Sequence, residues 1–225
     1  MDIYEIEKMR RARQLALATI NRAKEAKIPS DCLRIKEEEF LGFLNPEFYG
    51  GKDEMKKITN FIYNDPSFLL GRKFISIDGG DHVVRSKAGY ALLFRMIAYD
   101  KSGVYYGCSE LIHKFQSFDT TNGLSRNDLA EQLKEYDVLF IGEFSRTIFK
   151  PYFESAEFID EVLEHRINFN KPTIISCRAP IEKKTLEERA ANGELVSDCG
   201  RYLASFAIAH ETTNEILRIR VEMKK

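Results

Sequence analysis

From Lys73 onward, short runs of β-branched and aromatic residues alternate with longer helical stretches, and this alternation restricts the fold more than any other feature of the chain. Phe74-Ile75-Ser76-Ile77 enters a glycine turn, Gly79-Gly80, ahead of an apolar helix from Lys87 to Tyr99. Val104-Tyr105-Tyr106 precedes a helical stretch from Glu110 to Phe118. Leu129 to Lys134 leads into Val138-Leu139-Phe140-Ile141, a continuous apolar run of buried-strand type. Glu157 to Phe169 is amphipathic at helical spacing, and Pro172-Thr173-Ile174-Ile175-Ser176 repeats the strand signature. Strands alternating with helices of this length make βαβ units, hence an α/β domain whose mostly parallel sheet is covered by helices on both faces. The C-terminal part departs from the pattern. Phe206 to Ala209, a polar turn from Glu211 to Asn214, and Ile216 to Val221 read as a β-hairpin.

Upstream, Ile3 to Lys27 carries good helix formers and no Gly or Pro, and Pro29 and Ser30 end it. An aromatic connector follows through Phe40, Phe43, Pro46 and Tyr49 to Gly50-Gly51. The division expected is residues 1–50 as helix and connector and residues 51–225 as the α/β domain. A chain of 225 residues buries a sufficient core without disulfides or a structural metal. Its formal net charge of −1 argues against a strongly basic nucleic-acid arm or a disordered acidic tail and leaves a local charged patch open. Cys32, Cys108, Cys177 and Cys199 contain no C-x-x-C pair, and His82, His113, His165 and His210 show no ligand spacing, so no metal site is expected. No signal peptide and no apolar run of the ~18 residues a membrane helix needs are visible, which points to a soluble, cytoplasmic protein without membrane partners.

Open α/β sheets bind ligands beyond the carboxyl ends of their strands, which directs attention to the junction after Ile77. A phosphate-binding loop of the form G-x-x-x-x-G-K-[ST] belongs there: its N–H groups cradle phosphate, its Lys reaches the terminal phosphates and its hydroxyl holds magnesium. Aligned on Gly79, the chain places Ser86 at the hydroxyl position, but Val84 replaces the second Gly and Arg85 the Lys. A register longer by one residue places Lys87 at the lysine position and loses the hydroxyl. Asp81 adds negative charge where an anion would sit. At the third strand, Gly142-Glu143 follows the apolar run, so the first acid of the expected pair is missing and the second, the water-polarising one, is present. Each of these residues also has a plain reading. Gly79 and Gly80 can serve as a tight turn, Arg85 and Lys87 as helix-start residues, Glu143 as an inert surface acid, and Lys8, Arg10, Arg11 and Arg13 as a solvated helix face.

In these motifs the chain resembles the AAA+ ATPases that load replicative helicases in bacteria and phages, and the related ATP-binding helpers of insertion-sequence transposases. The resemblance runs from about Ala23 to the C-terminus and is densest at Phe158-Ile159-Asp160-Glu161-Val162-Leu163-Glu164-His165-Arg166-Ile167-Asn168 with Lys171 to Ser176. It implies a three-layer P-loop domain, and it places Arg178 at the end of the sensor strand and Arg201 in Asp198-Cys199-Gly200-Arg201-Tyr202-Leu203 as an arginine finger. The cofactor it implies is ATP with magnesium; the partners are a replicative helicase or a sister AAA+ ATPase, single-stranded DNA, and further copies in a homo- or hetero-oligomer. With both nucleotide motifs degenerate, the leading expectation is a replication accessory protein that binds partners with little or no ATP hydrolysis. Two alternatives stand beside it: a divergent ATPase using Arg85 or Lys87 with Glu143 and Arg201 as catalytic groups, and a DNA-coating helper of a transposase.

Overall fold

The computed structural model describes residues 3–65, 67–116, 126–144, 153–178, 180–181, 206, 209–210 and 213–222. In chain order the elements are α1 (Ile3–Glu25), α2 (Glu37–Leu41), α3 (Lys52–Asn64), α4 (Ser67–Leu70), β1 (Phe74–Gly79) and α5 (His82–Ala98). These are followed by β2 (Gly103–Gly107), α6 (Cys108–Gln116), α7 (Arg126–Glu135), β3 (Val138–Gly142), α8 (Phe153–Asn168), β4 (Thr173–Ser176) and β5 (Ile216–Val221). The five strands form one sheet in the order β2-β3-β4-β1-β5, and every pairing is parallel. Phe74 at the start of β1 stands opposite Thr173 of β4 on one side and Ile216 of β5 on the other.

Alternation along the strands divides the core in two. Phe74, Val104, Tyr106, Leu139, Ile141 and Ile175 face a cluster built with α6, α7 and α8. Ile75, Ile77, Val138, Phe140, Ile174, Leu217 and Ile219 face a second cluster built with α3, α5 and the connector. Burial on both faces is what a parallel sheet requires, and it explains why β3 reads as an unbroken apolar run and why β1 and β4 are buried along their length up to Gly79.

The expected C-terminal hairpin is corrected. Phe206 and Ala209 are helical, and Ile216–Val221 is a single strand that pairs in parallel with β1. Its alternating pattern holds: Leu217, Ile219 and Val221 point into the second cluster while Arg218 and Arg220 are only partly buried. Period-two alternation specifies a strand with two unlike faces and says nothing of its partner. Ala207, Ile208, Glu211 and Thr212 lie outside the described residues.

The first fifty residues touch both edges of the sheet. Tyr105 of β2 donates its N–H to the Ala26 carbonyl (3.0 Å). At the opposite edge Asn45 N–H reaches the Arg220 carbonyl (2.9 Å), Glu222 N–H reaches the Phe43 carbonyl (2.8 Å), and Leu44 forms an antiparallel bridge to Val221. Covering edge strands in this way removes templates for intermolecular pairing. Beyond this contact α1 projects outward, residues 5–18 all being exposed. Among the described residues, no helix is long and apolar enough to cross a membrane.

Arg166 is fully buried between α8, α7 and the start of β4. Its guanidinium donates to the carbonyls of Leu133 (2.7 Å), Tyr136 (2.7 Å), Asp137 (3.2 Å) and Pro172 (2.8 Å) and to the Thr173 hydroxyl (2.9 Å). Burial pushes its pKa down to about 9, the nearby Asp137 charge acting in the opposite sense.

Candidate functional site at the carboxyl ends of β1, β3 and β4

Because all strands run the same way, their carboxyl ends share one edge, and β1 lies there between the strand that precedes β5 in sequence and β5 itself. This is the switch point at which open α/β sheets leave a crevice. The link from β1 to α5 is short: β1 ends at Gly79, α5 begins at His82, and Gly80 and Asp81 alone lie between. Val84, Arg85, Ser86 and Lys87 are therefore helical residues and not parts of a wrapping loop. The helix starts five residues earlier than the sequence reading placed it because Asp81 caps it, its Oδ1 accepting the Val84 N–H at 2.9 Å.

Both glycines adopt positive φ, +78° at Gly79 and +53° at Gly80. Neither has room for a side chain. A Cβ on Gly79 would meet the Val221 carbonyl oxygen at 2.6 Å, and one on Gly80 would meet Val221 Cγ2 at 2.7 Å and the Glu222 carbonyl oxygen at 2.8 Å. Glycine is required here by the backbone of β5 lying against the turn, which is the plain reading of these two residues.

Arg85 folds back under the turn. Its Nε and Nη2 donate to Glu143 Oε1 (3.0 Å) and Oε2 (2.6 Å), a bidentate pair, while Nη1 donates to the Gly79 and Gly80 carbonyls at 2.8 Å each. The Arg85 side chain is 5% exposed and that of Glu143 40%. Glu143 follows β3 with φ +54°, a left-handed conformation that non-glycine residues seldom adopt. Ser176 at the end of β4 holds it there: its hydroxyl accepts the Glu143 N–H at 2.9 Å and lies 3.4 Å from Oε1. Phe144 N–H to the Ser176 carbonyl (2.8 Å) and Cys177 N–H to the Ile77 carbonyl (2.9 Å) complete the stitching of the three strand ends.

The arrangement does not suit nucleotide phosphate and magnesium. A phosphate cradle presents N–H groups and an available cation. Here the cation is neutralised by Glu143 and solvated by two carbonyls, and the carboxylate of Asp81 already supplies negative charge at the α5 N-terminus. Among the described residues no cluster of three or more His, Cys, Asp and Glu side chains is placed to hold a metal ion.

The other expected site residues are not drawn into this cluster. Ser86 and Lys87 are half-buried on α5, and Lys87, two residues from Arg85, lies about 200° around the helix from it. Its charge acts on Cys32 in the Ser30–Cys32 turn, where burial, reinforced by Asp31 and opposed by Lys87, raises the thiol pKa to about 11. Arg178 is exposed, two residues past β4. Arg201 lies outside the described residues. Sequence reasoning missed the capping role of Asp81, for which the signal was present as Asp directly ahead of a helix. It also missed the pairing of the buried Asp78 with Arg220 (2.5 Å), for which sequence held no signal, since the partners lie on separate strands.

No protein-family model matches the sequence, and neither does any curated protein. Similarity appears among solved structures. A replication initiator DnaA bound to AMPPCP and single-stranded DNA superposes with a TM-score of 0.54 at 10% identity, over 75% of this chain and 46% of the initiator, so the chain spans less than half that protein's length. The DnaC helicase loader gives 0.52 at 18% identity, over 78% of this chain and 93% of the loader. DnaI gives 0.54 at 14% identity, over 86% and 90% of the two chains. The α/β architecture, with its five-stranded parallel sheet, is the fold this chain shares with these solved structures.

Proposed function

We propose that this chain is a replication accessory module of the helicase-loader type, docking on a replicative helicase or a sister AAA+ ATPase with little or no ATP hydrolysis. The likeness to DnaC, DnaI and a DnaA initiator supports the replication side of this reading. The observation that carries the rest is the state of Arg85. At the place where a P-loop lysine reaches the terminal phosphates, the cation is tied to Glu143 and to the Gly79 and Gly80 carbonyls. Glu143, at the position of the water-polarising acid, is the same group that neutralises it. Each member of the pair thus withholds the other from nucleotide chemistry, and the two-residue turn leaves no loop to enclose a phosphate.

A module built so exchanges partners without reference to nucleotide. Titration of a fluorescent ATP analogue, with and without magnesium, should give no saturable binding up to millimolar concentration. Capture of a hexameric replicative helicase should be equal in ATP and ADP. Magnesium-dependent micromolar binding that disappears in Arg85→Ala would refute the reading and make the chain a divergent ATPase.

A further inference from the structure

The last turns of α1 meet the body, and the meeting leaves a cleft. Ala23 and Ala26 are buried against the core, small enough to bring the helix close to α5, and Arg22 pairs with Asp100 just beyond the end of α5. Lys27, at φ +63°, and Pro29 then turn the chain back through Ser30–Cys32, so that Leu33 and Phe94 of α5 border the same space. Further out along α1 the close approach ends, residues 5–18 being exposed. Between the departing helix, the turn and α5 lies a cleft of about 690 Å³, a size usual for small-molecule sites. Phe94 is nine residues beyond Arg85 on α5, about 14 Å along the axis, so the cleft is separate from the Arg85 turn.

Its walls are mainly hydrocarbon: Ala16 and Ile20 of α1, Leu33, and the Phe94 ring. Ile20 and Phe94 pack on the core yet stay half-buried, which leaves apolar area in contact with water. Two cations, Lys24 and Arg34, stand in the lining, which holds no carboxylate. Both are exposed, and neither has an ion-pair partner among the described residues. Glu25, Asp31 and Glu37, the carboxylates next to them in sequence, are not part of the lining. Aliphatic walls beside two available cations suit an alkyl chain that ends in a negative charge.

We propose that this cleft binds an amphiphilic carboxylate with a medium-length alkyl tail, the tail lying on Ile20, Leu33 and Phe94 and the carboxylate meeting Lys24 and Arg34. Arg34 offers a planar fork that matches a carboxylate, and Lys24 adds a point charge. A ligand so placed touches α1, the turn and α5 at once, so it fixes the angle at which the outer part of α1 leaves the body. The inference goes beyond the replication reading and stands without it.

Isothermal titration of the full chain with sodium decanoate, kept below its micelle concentration, tests this. Saturable single-site binding at submillimolar concentration is expected, and octanoate should bind more tightly than uncharged octanol. Lys24→Gln and Arg34→Gln should each weaken decanoate about 2- to 5-fold and the double variant about 5- to 25-fold, with octanol unchanged. Arg11→Gln, on the face of α1 opposite Ile20, should match the parent protein. Ala16→Trp, which fills the cleft from an exposed position, should weaken acid and alcohol alike. Each methylene added to the acid should tighten binding by up to about fourfold. Unchanged denaturation midpoints establish that the variants fold. A parent chain that takes up no decanoate overturns the proposal, as does a double variant of parental affinity or an Ala16→Trp chain that binds as the parent does. Octanol bound as tightly as octanoate removes the carboxylate from the assignment and overturns it too. Sedimentation with phosphatidylglycerol vesicles but no uptake of the free acid would assign the surface to a bilayer and overturn it as well. Helicase capture is read separately, so either this inference or the loader reading can fail alone.

Discussion

Two buried arginines illustrate how one residue type takes opposite roles. Arg85 has a carboxylate partner, so its neutralisation is ionic and local. Arg166 is surrounded by carbonyl and hydroxyl oxygens and joins the C-terminal end of α7 to the starts of β3 and β4. Removing its guanidinium takes a donor from four carbonyls; Pro172 keeps the Leu139 N–H (3.3 Å), and each carbonyl left without a donor costs roughly 1–3 kcal/mol. Arg166→Met should therefore destabilise the fold by at least about 3 kcal/mol, read as a shift of the denaturant midpoint at unchanged slope. Arg166→Lys should recover only part of the loss, because an ammonium has three donors and no planar fork. Nothing in the sequence separates Arg166 from His165 or Glu164 beside it, since the difference lies in which helical face meets α7. Glu143 was legible by its place after an apolar run, but its ties to Arg85 and Ser176 join three segments far apart in sequence and became visible only when the strands were ordered.

At the scale of the element, α5 decides the chemistry of the site. Matching residues 79–86 to a phosphate-loop template stretches them into a loop, whereas Asp81 nucleates a helix within two residues of the strand. The local signal, an N-cap residue followed by helix formers, outweighed the remote one. Asp81→Ala should cost about 1 kcal/mol in thermal or denaturant unfolding, with Asp81→Asn or Asp81→Ser restoring most of it. A neutral effect would mean that α5 is held by its packing against β3 and β4 and not by its cap. β5 teaches the complementary lesson. Leu217, Ile219 and Val221 declared a strand by their alternation, while the choice of β1 as its partner depended on the glycine turn that admits the Val221 and Glu222 backbone.

For the whole molecule, alternation of strand and helix from Lys73 onward made the α/β class readable, because a parallel sheet buried on both faces needs unbroken apolar runs. The part played by the first fifty residues was less readable. The aromatic connector carried no sign that Ala26 would meet one sheet edge and Phe43 to Asn45 the other. Only the end of α1 takes part, since residues 5–18 are exposed. A chain lacking residues 1–18 should keep its unfolding free energy to within about 0.5 kcal/mol, measured by denaturant titration. A loss above about 1 kcal/mol would show that the projecting helix stabilises the body.

The closure of the β5 edge has a consequence for synthesis. Leu44 meets Val221, and β1 acquires its outer neighbour only from Ile216–Val221. On the ribosome, the connector and β1 emerge early, and their contacts with β5 form only once Ile216–Val221 has been made. Such long-range closure slows folding and leaves one side of β1 available to other nascent chains in the interval. Shortened products ending before Ile216 would hold that edge open permanently, so the cell's first encounter with a truncated chain is with an adhesive strand.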